Sequence, residues 1–261
     1  ELGREPGELL VRDGDPGELH IGKRAERRQL DVGEDGCHGR RHLIADLGRH
    51  PQRVPGELTG RRSLGLGHKL LGIGLGLPGV VETDAAGNQT LFAQSLGWAP
   101  QRIPSDYDIP VFAENGAKTQ ARAELWYGAA RGVGHAVVAL LGRGVGLGVV
   151  TDGEVYRGGF SSATEWGHTK IQYGGRLCRC GNLGCVEAYI GADALLGAWR
   201  DAGGRVEGSG WHAVGALLDD AEAGGSAAPV LDDAIEALGA ALGSIVNLTN
   251  PERIVIGGWV G

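Results

Sequence analysis

The sequence lacks methionine altogether, has few aromatic residues and contains no long apolar run. Its 261 residues include no Met, and Phe, Tyr and Trp together make up 5% of the chain. Because translation starts at Met, we interpret Glu1 as the first residue of a fragment or of a processed product. No apolar stretch approaches the roughly 18 residues that a membrane-spanning helix needs, so we expect no membrane segment. No secretory leader opens the chain, which favours a cytoplasmic protein.

The chain also lacks an excess of basic charge. Its formal net charge is -7 at pH 7, with 25 Lys and Arg against 32 Asp and Glu. Proteins that bind nucleic acid usually present a basic face, so this balance argues against such a role for the chain as a whole. The composition, with 42% hydrophobic residues, is typical of a globular protein of one or two compact units.

Residues 1–70 differ in character from the rest of the chain. They hold 13 of the 25 Lys and Arg, and the first aromatic residue of the sequence is Phe92. Short apolar stretches at Leu9–Val11 and Leu43–Ala45 lie between clusters of Gly, Pro and Arg without a sustained period. We predict an atypical, poorly ordered or irregular segment here. A DNA-contacting arm is the alternative, although acidic residues are interleaved with the basic ones and no helix-turn-helix pattern is visible.

From Leu70 onward the sequence alternates strand and helix patterns, which predicts an α/β protein. Short apolar runs bounded by Gly and Pro indicate buried strands, and apolar residues at helical spacing indicate amphipathic helices. The predicted strands lie at residues 70–77, 90–93, 109–113, 135–141, 146–150 and 253–256. The predicted helices lie at residues 117–130, 192–202, 211–223 and 229–248.

Three of the four cysteines are clustered. Cys178, Cys180 and Cys185 form the pattern C-x-C-x4-C with two glycines inside it, His168 precedes them by ten residues, and Cys37 stands alone. Zinc prefers such thiolate and imidazole ligands, and a glycine-containing loop lets them converge. Four protein ligands leave no open position, so we predict a structural Zn²⁺ site rather than one that activates water. Three free buried cysteines are the alternative.

The same residues resemble the zinc loop of the ROK family, whose name joins repressors, open reading frames and kinases. Further stretches agree with motifs of that family in the same order, and the resemblance covers roughly residues 70–261. They are Gly76–Gly79 for the GxPG segment, Glu114–Asn115 for the start of E-N-D-A, Glu165–His168 for E-x-G-H, and Asn250–Gly258 for NPExIVxGG.

The resemblance implies an actin-like (ribonuclease H-like) α/β fold of two lobes with an interlobe sugar cleft, and with ATP beside the sugar in the kinases. It assigns residues 1–113 to an N-terminal lobe and residues 114–261 to a C-terminal lobe that carries the zinc loop and is truncated at its end. The implied sugar contacts are Asn115, Glu165, His168 and Glu187, whose side chains can pair with hydroxyls. His168 would hold zinc with one ring nitrogen and face a sugar hydroxyl with the other.

Departures from the family pattern concern phosphoryl transfer. Gly116 stands where the family has its catalytic Asp, and glycine cannot accept a proton. The N-terminal phosphate segment of D-x-G-x-T type is not recognisable, and the nearest string, residues 19–23, lacks both the acid and the threonine. In the second phosphate turn, residues 142–146, Arg143 replaces a small hydroxyl residue and would either clash with a nucleotide or pair with its phosphate.

We therefore interpret the chain as the sugar-binding effector domain of a ROK transcriptional regulator without a catalytic residue. The resemblance implies that operator DNA is bound only through a winged-helix module, which is not recognisable in this chain, and that the protein is a homodimer or homotetramer. The rival hypothesis is an ATP-dependent sugar kinase of the glucokinase or N-acetylhexosamine kinase type, which would use ATP and Mg²⁺. A third alternative is a truncated or mistranslated copy without activity.

Overall fold

The computed structural model describes residues 72–93, 96–105, 107, 109–208 and 210–258, together with the backbone of three earlier stretches at residues 9–11, 32–34 and 41–46. Cys37, the string at residues 19–23 and most of the basic N-terminal segment lie outside the described residues. The described residues divide into two compact units. One lies within Gly14–Gly116, and the other within Glu1–Asp13 and Ala117–Gly261.

Strands and helices alternate along the described part of the chain. The strands are β1 (Leu9–Val11), β2 (Val32–Glu34), β3 (Arg41–Asp46), β4 (Ile73–Leu77), β5 (Val80–Thr83), β6 (Gln89–Phe92), β7 (Gln101–Arg102), β8 (Val111–Asn115), β9 (Ala136–Leu141), β10 (Val145–Thr151), β11 (Glu154–Val155) and β12 (Arg253–Gly257). The helices are α1 (Gly116–Tyr127), α2 (Glu187–Ile190), α3 (Ala192–Asp201), α4 (Trp211–Glu222) and α5 (Ala228–Thr249), and a 3₁₀ turn spans Trp166–His168.

The unit within Gly14–Gly116 contains a four-stranded sheet of order β2-β3-β4-β8 and a three-stranded antiparallel sheet of order β5-β6-β7. Strand β4 pairs in parallel with both β3 and β8. Its side chains alternate, so that Ile73, Leu75 and Leu77 are buried in one apolar cluster together with residues of the smaller sheet. Period-two burial is what a strand with one covered face requires.

The second unit contains a five-stranded sheet of order β1-β12-β9-β10-β11. Strands β1, β12 and β9 run parallel, and β9, β10 and β11 form antiparallel hairpins. Helix α1 packs directly on β10: a Cβ added at Gly146 would lie 2.7 Å from the Cβ of Ala117, and one at Gly148 would lie 2.3 Å from the Cβ of Ala121. Small residues on both elements therefore set a close approach of helix and sheet.

Helices α3, α4 and α5 contribute to the largest apolar cluster of this unit, with Trp199, Leu217 and Leu242 among its buried residues. Helix α5 has a proline in its first turn and ends at Asn250, whose φ of 43° is the left-handed conformation that Asn tolerates at a C-terminus. Among the described helices, none combines the length and the hydropathy needed to cross a bilayer.

Most predicted elements are present with boundaries moved by a few residues, and two findings differ from the predictions. The short apolar stretches of the N-terminal segment are strands: β1 pairs with β12, and β3 pairs with β4. Helix α1 ends at Tyr127 rather than at residue 130. Within α1, Lys118 is 1% exposed, and its Nζ donates to the carbonyl oxygen of Ser161.

Candidate functional site

The four predicted metal ligands converge. The ligand atoms of His168, Cys178, Cys180 and Cys185 all lie within 4.8 Å of one another. The Sγ of Cys178 is 3.8 Å from Nδ1 of His168, and the Sγ atoms of Cys180 and Cys185 are 3.7 Å apart. A tetrahedral ion with metal–sulfur bonds of ~2.3 Å and metal–nitrogen bonds of ~2.0 Å separates its ligand atoms by roughly 3.5–3.8 Å. The donor set and its spacing therefore fit a metal ion such as zinc.

The backbone of the loop explains how the ligands meet. Gly181 and Gly184 have φ angles of 86° and 77°, and a Cβ at Gly184 would lie 1.7 Å from the carbonyl oxygen of Gln172. Only glycine fits this approach without rearrangement. The loop closes through a hydrogen bond from the Cys178 amide to the carbonyl oxygen of Asn182, at 2.8 Å.

The environment of the sulfurs differs from one cysteine to the next. Burial raises the pKa of the Cys178 thiol to about 12. Burial also acts to raise the pKa of the Cys180 thiol, but hydrogen bonds from the backbone and side chain of Asn182 outweigh it and leave that pKa below its ordinary value. The Nζ of Lys170 donates to the Sγ of Cys185 at 3.2 Å.

Glu187 is buried beside the metal cluster, and both of its carboxylate oxygens accept hydrogen bonds. Its side chain is 8% exposed, and the guanidinium of Arg179 binds both carboxylate oxygens, with Nε to Oε1 at 2.8 Å and Nη2 to Oε2 at 3.1 Å. The amide of Val145 also donates to Oε2, at 2.9 Å. Oε1 is 3.8 Å from the Sγ of Cys178. Glu187, the predicted sugar-binding residue, is therefore in direct contact with the metal cluster.

Glu165 immediately precedes a single 3₁₀ turn, and His168 is the last residue of that turn. The amide of His168 donates to the carbonyl oxygen of Glu165, and Trp166 between them is buried in the large apolar cluster. Gly167 is required here, because a Cβ would lie 2.2 Å from the carbonyl oxygen of Val145. The buried Trp and this close approach fix the turn against β10, and Glu165 itself is exposed.

Asn115 and Gly116 lie in the other compact unit, at the end of β8 and the start of α1. The side-chain amide of Asn115 donates to the carbonyl oxygen of Gly79 at 2.7 Å. A Cβ added at Gly116 would meet only the carbonyl oxygen of Leu77, at 3.8 Å. That is an ordinary contact distance, so the local packing does not require glycine at this position.

The turn between β9 and β10 is the predicted second phosphate turn, and its arginine has a partner. Nε of Arg143 donates to Oδ2 of Asp193 at 3.0 Å, with both side chains more than half exposed. Exposed ion pairs of this kind contribute little to stability. The contact nevertheless shows that Arg143 lies beside the first turn of α3.

The structure thus brings His168, the three loop cysteines and Glu187 into one cluster. Sequence reasoning missed two members of it, Arg179 and Lys170. A signal existed for Arg179, since a basic residue between two cysteine ligands lies eight positions before an acid in a loop that folds back on itself. For Lys170 no pattern in the sequence pointed to a contact with sulfur.

Comparison with known proteins extends these observations. A family model described as ROK family matches residues 62–261. A xylose repressor of Caldicellulosiruptor bescii is 30% identical over 201 residues, which are 72% of this chain and 50% of that protein. A glucokinase of Halalkalibacterium halodurans is 34% identical over 212 residues, which are 73% of this chain and 62% of that protein. A solved ROK family glucokinase from Streptomyces griseus, in complex with glucose and AMPPNP, is 27% identical with a TM-score of 0.64 over 74% of this chain and 66% of that chain.

These similarities confirm the predicted actin-like α/β fold class, because solved kinases and a solved regulator share the arrangement of the described elements. The sequence relatives likewise include repressors and glucokinases. The chain spans 50% of the length of the xylose repressor that it matches.

Proposed function

The chain belongs to the ROK family, and we propose that it is the sugar-binding effector part of a transcriptional regulator. The observation that carries the proposal is Gly116. Phosphoryl transfer to a sugar hydroxyl needs a base, and a glycine at the start of α1 supplies none. Because a Cβ at Gly116 would meet only an atom at 3.8 Å, packing does not explain the loss of the carboxylate. A chain that binds sugar without phosphorylating it accounts for the loss.

In this proposal, the side chains that contact the sugar are those of Asn115, Glu165, His168 and Glu187. His168 faces Cys178 with Nδ1, so Nδ1 holds the metal and Nε2 meets a sugar hydroxyl. Glu187 accepts from a hydroxyl at Oε1, because Oε2 already accepts from both Arg179 and the Val145 amide. The sugar is thereby recognised through hydroxyl groups rather than through charge.

We propose that zinc occupies the His168 and cysteine cluster in a structural role. Four protein ligands fill a tetrahedron and leave no position for water, so the ion fixes the loop rather than taking part in a reaction. Its effect on the sugar site is exerted through this chain's own residues: it orients the ring of His168 and holds Cys178 beside Glu187.

The sugar kinase is the second candidate, and the identity to a glucokinase supports it. A coupled assay of ADP release, run with a panel of hexoses, separates the two. The proposal predicts no sugar-dependent release from the parent chain, whereas turnover of roughly 1–100 per second is typical of kinases and would contradict it. The Gly116→Asp variant tests whether restoring the carboxylate restores turnover. Gly215→Asp, in the interior of α4 where the glycine is partly exposed and a Cβ meets nothing within 4 Å, is the matched control.

We further propose how the regulator responds to sugar, contacts DNA and assembles. Sugar binding shifts the balance between conformations of the regulator, and a winged-helix module carries the contact with operator DNA. We propose a cytoplasmic homodimer or homotetramer. By itself, the 261-residue chain, with its formal net charge of -7, should bind operator DNA poorly.

A further inference from the structure

Arg179 lies between two of the candidate metal ligands, and its side chain is directed at a buried carboxylate. Its guanidinium binds Glu187 through Nε and Nη2, at 2.8 and 3.1 Å. A planar guanidinium with two parallel N–H donors fixes both the position and the plane of a carboxylate, which a lysine ammonium does not. Arg179 therefore determines the orientation of Glu187 more closely than a point charge would.

The turn at Gly144 makes room for this pair. A Cβ added at Gly144 would lie 2.2 Å from Nη2 of Arg179 and 2.6 Å from Oε2 of Glu187. The next residue, Val145, donates its amide to the same carboxylate oxygen at 2.9 Å. The hairpin turn and the loop that carries Arg179, which are distant in sequence, thus meet at one carboxylate. The turn has the only residue type that leaves space for the guanidinium.

The hydrogen-bond capacity of the carboxylate limits what else it can bind. A carboxylate offers about four acceptor positions, two on each oxygen. On Glu187, Oε2 accepts from Arg179 and Val145, while Oε1 accepts from Nε of Arg179. The thiol of Cys178 also donates to Oε1, at 3.8 Å, but a metal-bound thiolate has no proton to donate. With the metal bound, one acceptor position on Oε1 is therefore left for a hydroxyl donor. The two-point contact with the guanidinium of Arg179 fixes the direction of this acceptor position on Oε1.

We infer that Arg179 is a positioning residue, which orients Glu187 for a single sugar hydroxyl and transmits the state of the metal loop to the sugar site. Metal binding at Cys178 and Cys180 fixes the backbone on both sides of Arg179, and the guanidinium fixes Glu187 in turn. The inference rests on the proposed function, because it concerns a sugar contact of Glu187. Arg179 thus determines specificity without contacting the sugar or the metal.

The test compares two neighbouring arginines in the zinc-loaded 261-residue chain. Arg176→Gln is the matched control, because Arg176 lies in the same loop but stacks over Tyr189 and faces Asp233 rather than Glu187. Each variant is assayed for bound zinc per chain and for the sugar Kd by calorimetric titration. We expect Arg179→Gln to retain one zinc per chain and to weaken sugar binding at least tenfold, and Arg176→Gln to stay within twofold of the parent.

Two further variants separate positioning from a general structural effect. Arg179→Lys keeps the charge but loses the fork, so its sugar affinity should stay at least threefold weaker than that of the parent. In a Glu187→Ala background, Arg179→Gln should change the Kd less than twofold, because the residue it orients is gone. An unchanged Kd in Arg179→Gln, or the same loss with and without Glu187, would overturn the inference while leaving the proposed function intact. Absence of sugar binding by the parent chain would instead defeat the proposed function, and the inference with it.

Discussion

The side-chain amide of Asn115 donates to the carbonyl oxygen of Gly79 at 2.7 Å, joining the end of β8 to the turn that follows β4. Gly79 has a φ of 88°, and a Cβ there would lie 2.3 Å from the carbonyl oxygen of Phe92. The turn thus requires glycine, and Asn115 holds its carbonyl in place. This hydrogen bond therefore joins two stretches that resemble separate family motifs, Gly76–Gly79 and Glu114–Asn115.

Removing this contact should affect both stability and sugar binding. Asn115→Ala loses a part-buried hydrogen bond, so we expect the free energy of unfolding to fall by about 1 kcal/mol, measured by urea denaturation. Calorimetric titration should show weaker sugar binding as well. Asn88→Ala is the control, since Asn88 bonds to Asp84 in an exposed hairpin turn of the same unit. Equal sugar affinities in the two variants would argue against Asn115 as a sugar contact.

The close packing of α1 on β10 predicts that Gly148 is intolerant of substitution. In Gly148→Ala the new methyl group would lie 2.3 Å from the Cβ of Ala121, which forces helix and sheet apart. Overpacking of this kind costs about 1–3 kcal/mol in the free energy of unfolding. Gly197→Ala, where a Cβ meets nothing within 4 Å inside α3, should instead be neutral or stabilising by up to about 1 kcal/mol. A stable Gly148→Ala variant would contradict this packing.

The metal cluster predicts one zinc ion per chain. Cys185 is fully buried and close to Cys180, so Cys185→Ser should lower the bound zinc, measured by elemental analysis after dialysis, to a small fraction of one per chain. Asn182→Ser changes the same loop without removing a ligand and should retain the ion. Similar zinc content in both variants would show that the cluster is not the binding site.

The raised pKa of Cys178 predicts a pH dependence that the metal abolishes. Burial raises the pKa of this thiol from 9.0 to about 12, so the unfolded chain loses the proton first. Its contribution to stability is therefore complete below about pH 9 and is lost as the pH rises towards about 12. In zinc-depleted protein, the parent should lose stability more steeply over this window than Cys178→Ala does. Zinc holds the thiolate in the folded state, so the zinc-loaded parent should lack this pH-dependent component of stability. Equal slopes of the unfolding free energy against pH in the zinc-depleted parent and in zinc-depleted Cys178→Ala would contradict the raised pKa of Cys178.

Features encoded by neighbouring residues were predictable from the sequence. Helix α5 follows from its apolar spacing and the proline in its first turn, and the metal cluster follows from three cysteines within eight positions. Strand β1 was missed because its partner, β12, lies more than two hundred residues away and no local pattern specifies such a pairing. Short strands in a segment of mixed charge acquire their structure from the sheet that they join.

Side-chain partners were the least predictable part of the site. Lysine is rarely buried, so nothing in the sequence indicated that Lys118 would reach the carbonyl oxygen of Ser161 across 43 positions. Glu187 was expected to contact sugar, but its pairing with Arg179 depends on the fold of the loop and on the space at Gly144. Such contacts are set by tertiary structure, which sequence spacing alone does not encode.

The most direct test of the proposed function is calorimetric titration of the zinc-loaded chain with a panel of sugars, with and without a non-hydrolysable ATP analogue. We expect sugar binding in the micromolar to millimolar range and no detectable binding of the nucleotide. The same sugar affinity should be measured in the presence and absence of the analogue. Binding of the analogue together with sugar would contradict the proposed effector function and favour a kinase. Absence of binding by every sugar in the panel would contradict both the effector and the kinase function.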